Sequence, residues 1–201
     1  LSINSIVNNM KKIIIIILSL IIIANLSCKA QQIIPVEKAI DYRLAENGIP
    51  DNTYFKDINN LLGKYVGTWI GTYDNKTYKF RIDKFVNNYS GGTKEDVLLM
   101  RYIITNTNGT QLENTTTLSD DNYLVIIGDY IQRSTYHLNY FGRESACGQL
   151  GTIYIEVLKS SNNTKMKLNL LPGKIMISPS SCPQGVSQQI MPIDQIVLTK
   201  Q

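Results

Sequence analysis

The chain has 201 residues, of which 43% are hydrophobic and 18% charged, with a formal net charge of +4. That length is enough for one domain with a core of its own. The 20 Lys and Arg residues are dispersed rather than gathered into a basic face, so the chain carries no nucleic-acid footprint. With a single histidine, and with two of the three cysteines expected to be bridged, a zinc site of the usual kinds is not expected, and no metal or cofactor is expected, although an all-oxygen calcium site stays open. There is no internal repeat and no long low-complexity linker.

The most apolar stretch comes early. Lys11 and Lys12 precede a run from Ile13 to Ala24, and small residues close it. A dozen apolar residues fall well short of the roughly 20 a helix needs to cross a bilayer, whereas this layout is that of a secretory signal peptide. Met10 stands directly before the two lysines, so residues 1–9 read as an upstream extension and 10–27 as the signal. Leu26-Ser27-Cys28 resembles the end of a bacterial lipobox. That resemblance implies lipidation of Cys28, a mature N-terminus there, and a membrane partner reached through acyl chains. Two or three chains, at about 0.8 kcal/mol per buried methylene, hold stably where one does not. Removing Lys11 and Lys12 lowers the net charge from +4 to +2.

An exported chain then keeps Cys147 and Cys182, an even pair for which a disulfide is expected. Residues 28–50, with prolines at 35 and 50, read as a lipidated N-terminus and tether ahead of a single domain over 51–201. Asp51 and Asn52 are cap-type residues, and Phe55, Ile58, Leu61, Leu62 and Tyr65 follow at near-helical spacing. They predict a short helical segment.

Beyond Tyr65 the apolar period becomes two. Tyr78, Phe80 and Ile82 alternate with Lys79 and Arg81, and Met166, Leu168 and Leu170 alternate with Lys165, Lys167 and Asn169. Similar stretches lie at 97–105, 123–128, 135–141, 151–158 and 194–199, with turn-type runs between them such as Asn106 to Thr110 and Ser160 to Asn163. The fold class expected is all-β: an antiparallel up-and-down β-barrel of about eight or nine strands, with a β-sandwich as the alternative. Counting a strand at about 111–118, loop parity places the segments holding Cys147 and Cys182 at one end, opposite the turns at 74–76 and 106–110. That long-loop end is the expected mouth of any pocket.

Gly67-Thr68-Trp69, where the strands begin, resembles the Gly-x-Trp of the calycin and lipocalin barrels. The resemblance implies that Trp69 closes one barrel end against a basic residue of the last strand, here Lys200. The residues after Cys28, together with the stretch from Asn52 to Ile82, are similar to small lipoproteins of Bacteroidota that carry one domain of unknown function. That similarity implies an outer-membrane address, and Lys29-Ala30-Gln31-Gln32 lacks an acidic export cluster, so the anchor is expected to face the periplasm.

Candidate interior or pocket residues are Trp69, Tyr78, Phe80, Tyr102, Tyr136, Tyr140 and Met166. Tyr154 is a further strand tyrosine of the same kind. His137 falls on the polar face of its strand and is expected to face solvent. Asp120, Asp121 and the run Lys94-Glu95-Asp96 read as solvated turns, and Glu156 as outward-pointing. No catalytic residue stands out, since there is no Gly-x-Ser-x-Gly element or other nucleophile setting. The expectation is a non-enzymatic, monomeric, lipid-anchored envelope protein that binds a small apolar or amphipathic ligand in its barrel. The alternatives are an interaction or inhibitor module with a filled barrel, and a carboxylate-based hydrolase.

Overall fold

The structure is a computed structural model that describes residues 10–17, 31–88 and 93–201. The chain divides into two units, Leu1–Gln31 and Gln32–Gln201. In the first, residues 10–17 form helix α1, whose isoleucines are exposed. Among the described residues no helix is long and apolar enough to cross a membrane. Cys28 and the rest of the signal expected over 10–27 lie outside the described residues.

The second unit begins with β1 (Gln32–Pro35), a one-turn 3-10 helix and α2 (Ala39–Leu44), then β2 (Thr53–Lys56) and a 3-10 turn at Gly63–Tyr65. Two expectations change here. The span from residue 32 onward is no tether, because β1 pairs in parallel with β2, and β2 with the first residues of β5. Ile34, Ala39 and Phe55 form a small buried cluster of their own. The helical reading of 51–65 reduces to the one 3-10 turn, since β2 takes the first of those apolar residues into the sheet and Ile58 is exposed.

The remaining strands are β3 (Gly67–Tyr73), β4 (Lys76–Asn88), β5 (Lys94–Asn106), β6 (Gln111–Asn114), β7 (Ile126–Gln132), β8 (Thr135–Phe141), β9 (Leu150–Val157), β10 (Lys165–Pro172) and β11 (Ile196–Lys200). Apart from β6, each pairs antiparallel with the next, and β11 returns to β3, which closes an eight-stranded up-and-down barrel. The closure between β5 and β7 is short, Leu99 opposite Ile127 and Met100 opposite Ile126. β5 is 13 residues long and β7 only seven. The rest of that β5 edge would be left with unpaired backbone groups, and β2 covers its start while β6 covers its end.

Because β6 lies beside β5 rather than in the closed circuit, the loop parity changes after it. The segments 142–149 and 173–195 do share one end, as expected, but with the turns at 74–75 and 107–110 instead of opposite them. Gly128 accounts for a shifted strand. It reads as a terminator in the sequence, yet β7 runs through it, because a Cβ there would meet the Tyr136 hydroxyl at 2.1 Å.

Inside the barrel, Trp69, Tyr78, Phe80, Tyr102, Tyr136, Tyr140 and Met166 all have 0–1% exposure and belong to one buried cluster with Leu98, Met100, Leu138 and Leu168. An eight-stranded barrel is just wide enough for side chains to fill. Tyr154 is on the outside.

Candidate functional site

Both barrel ends are stopped by the chain itself. At the end where β3 starts and β11 finishes, Trp69 donates its Nε1–H to the Tyr65 carbonyl at 2.7 Å, and the Lys200 ammonium lies 5.1 Å from the Trp69 ring centroid. Gly67 makes room for that lysine: its φ is +131°, and a Cβ would meet Lys200 Cε at 2.8 Å.

A buried polar network seals the same end. Lys84 Nζ sits 3.0 Å from Asp57 Oδ2 and 3.4 Å from Asp96 Oδ2. Asp57 also accepts the Leu61 and Leu62 amides, and Asp96 accepts the Tyr54 hydroxyl at 2.7 Å and the Asp57 amide. Burial, aided by Asp96, pushes the Tyr54 phenol up to about 12. Each carboxylate here is well supplied with donors, so the network reads as structural.

At the other end the Cys147–Cys182 disulfide, with Cα atoms 5.5 Å apart, fixes the segment between β10 and β11. Ser187 N donates to the Cys147 carbonyl, Gln149 Nε2 to the Gln188 carbonyl, and Tyr78 to the Ile190 carbonyl. Met191, 1% exposed, joins the core cluster as a stopper. The expected pocket mouth is therefore plugged by the loop that was to frame it.

Among the described residues, open grooves lie on the outer wall. A groove of about 400 Å³ is lined by Phe85, Leu99, Val125, Ile127 and Phe141, with Asp120 to Tyr123 along one side. Phe141 is 46% exposed. Arg101 holds that side in place through the Leu118 carbonyl and the Asp120 carboxylate, so Asp120 is ion-paired rather than simply solvated. Asp121, by contrast, accepts the Ser119 hydroxyl and is exposed.

Ile127 also borders a second groove, of about 330 Å³, with Arg43, Ile49, Thr93, Glu95, Gly128, Asp129 and Asn139. Three charges meet there from three elements. Arg43, on α2, bonds Glu95 Oε2 at 2.6 Å and also the Asp129 carboxylate. Asp129 reaches it because it is the extra residue of a bulge: Gly128 faces Leu138 and Tyr130 faces His137, with Asp129 between them. Glu95 is 1% exposed, and its Oε1 has no hydrogen-bond partner. Burial outweighs Arg43 and lifts the Glu95 carboxyl to about 7.

The solvated reading of Lys94-Glu95-Asp96 is thus corrected, since Glu95 and Asp96 are buried within β5. β2 and α2 supply the cover, and nothing local in the sequence announces them. His137 is corrected too. It lies on the outer face of β8 but is 8% exposed, stacked 4.2 Å from Tyr130 and edge-on 4.7 Å from Tyr154. Burial lowers its pKa. Glu156 is on the outer face and accepts the Ser134 hydroxyl at 2.6 Å. Among the described residues no three His, Cys, Asp or Glu side chains are grouped as metal ligands.

A closed antiparallel barrel with a packed interior, both ends stopped and grooves on its outer wall defines an all-β barrel protein. The chain belongs to DUF6705, a family of unknown function, whose model matches residues 10–201. No curated protein and no solved structure matches the chain.

Proposed function

We propose that this is an exported, lipid-anchored envelope protein that works by binding and not by catalysis, its barrel serving as a rigid scaffold for surface recognition. One observation carries the choice between the two binding readings. The residues that would have lined an internal ligand cavity are packed against one another, and Met191 and Trp69 stop the two ends. A ligand inside the barrel would have to displace that core, whereas the grooves beside Ile127 are already open. The braced loop adds exposed apolar contacts at Met176 and Val186.

The anchor rests on the sequence alone: the signal-like run, Cys28 and the similarity to small Bacteroidota lipoproteins. The lack of an acidic cluster after Cys28 favours the periplasmic side of the outer membrane. The calycin-like reading draws support from Gly67, Trp69 and Lys200. A hydrolase is the second reading, because Glu95 and Asp129 share a groove. Against it, Arg43 holds both carboxylates in ion pairs.

Native mass spectrometry of the protein extracted from its own envelope tests the proposal. The expected result is a polypeptide beginning at an acylated Cys28 with no retained neutral apolar molecule of the kind a barrel interior would hold. A stoichiometric apolar ligand would overturn the filled-scaffold reading, and an unmodified Cys28 still joined to Ser27 would overturn the anchor.

A further inference from the structure

The groove around Glu95 holds an acceptor that the fold itself does not use. Glu95 is 1% exposed, Arg43 takes its Oε2 at 2.6 Å, and Oε1 is left unpartnered. Leaving such an atom buried without a partner is unfavourable, and native proteins seldom tolerate it without a use. Once Glu95 is ionised, one guanidinium against two carboxylates leaves the cluster an excess of negative charge, so the missing partner is a cation or an N–H donor.

We propose that this groove is a binding subsite for an alkylammonium group, R–NH3+, whose head donates to Glu95 Oε1 while its chain lies between Ile49 and Ile127. It specifies the chemistry of the binding reading above and rests on it. A second guanidinium is disfavoured, since Arg43 already takes Glu95 and Asp129 together. An ammonium is a compact charge with three donors, and Thr93 and Asn139 line the groove as further polar partners. Ile127 also borders the larger apolar groove of Phe85, Leu99, Val125 and Phe141, so a longer chain has somewhere to continue. The same head group could come from a small amine or from a lysine side chain of a partner protein.

Titrating n-butylammonium into the full chain in detergent at pH 8, followed by calorimetry, tests this. Saturable one-to-one binding is expected, with n-butanol, the same tail without the charge, producing no saturation. Glu95→Gln should weaken binding by about tenfold or more, the effect of losing one hydrogen bond to a charged group. A parallel titration with Nα-acetyl-lysine methylamide separates the sources. Tighter binding than butylammonium points to a lysine of a partner, and weaker binding to a free amine.

Should Glu95→Gln fail to fold, the wild-type chain still gives a readout. Below pH 7, binding should release protons from Glu95, seen as an enthalpy that varies with the buffer. The groups facing Glu95 are Arg43 from α2, Asp129 from β7 and Asp96 from its own strand. No saturable heat, equal binding of butanol, or unchanged affinity in a folded Glu95→Gln variant would overturn the subsite. None of these outcomes touches the native mass result, so the two readings fail separately.

Discussion

Glu95 and His137 respond to pH in opposite senses, and each sign follows from which state binds the proton. Burial raises the folded Glu95 carboxyl from 4.5 to about 7. Between those values the native state keeps a proton that the unfolded chain has released. Its stability contribution is therefore full below about pH 4.5 and lost as pH rises through about 7. Relative to Glu95→Gln, the wild type should lose on the order of 3 kcal/mol between pH 4.5 and 8, read from urea melts at the two pH values. A flat difference would mean that Arg43 keeps Glu95 ionised throughout. For His137, burial lowers the folded pKa below 6.5, so the unfolded chain takes up the proton first. That contribution is present above pH 6.5 and is lost on acidification, so His137→Gln should lose less stability than the wild type as pH falls from 7 to 5.

At the scale of elements, the β7–β8 hairpin depends on how closely Gly128 lets Tyr136 approach. The Tyr136 hydroxyl accepts the Leu98 amide at 3.1 Å, joining β8 to β5 beneath the short β5–β7 closure. Gly128→Ala should destabilise the barrel by about 1–3 kcal/mol through overpacking. Tyr136→Phe removes the closest clashing atom, though not the ring carbons 2.7 and 2.8 Å away, as well as the bond, so the double variant should lose less than the two single losses added, in chemical denaturation. Additive losses would mean that the two positions are uncoupled.

The same hairpin marks the limit of what the sequence discloses. The alternation at Tyr78-Phe80-Ile82 and Met166-Leu168-Leu170 was enough for an up-and-down barrel, because period-two burial is a local signal. A glycine that serves a distant tyrosine looks like one that ends a strand. Likewise Lys94-Glu95-Asp96 has the composition of a turn, and only β2 and α2, folding back from 40 to 60 residues upstream, bury it. Arg43 and Asp129 were unreadable as partners because one sits on a short helix and the other in a bulge. Cys147 and Cys182 needed no such context, since with Cys28 set aside the two remaining cysteines have one pairing.

For the molecule as a whole, that disulfide links the stability of the barrel to the closure of one end. Its loop spans 35 residues, for which the chain-entropy model assigns roughly 4 kcal/mol. Ile190 and Met191 follow Cys182 in the chain, outside the loop that the bridge closes, and Pro192 accepts the Leu170 amide at 2.6 Å. The stopper is thus attached to β10 independently of the sulfurs, and reduction should loosen the loop before the barrel. A Cys147→Ser/Cys182→Ser variant is expected to unfold at lower denaturant by about 4 kcal/mol, while hydrogen exchange under native conditions quickens first at Ser187 and next to Gly148. If exchange instead quickened first along β9 and β10, the loop would be a strut of the barrel rather than a lid fastened to it. Such a result would place the weakest part of the fold at the plugged end, and an internal ligand would regain a route to the core.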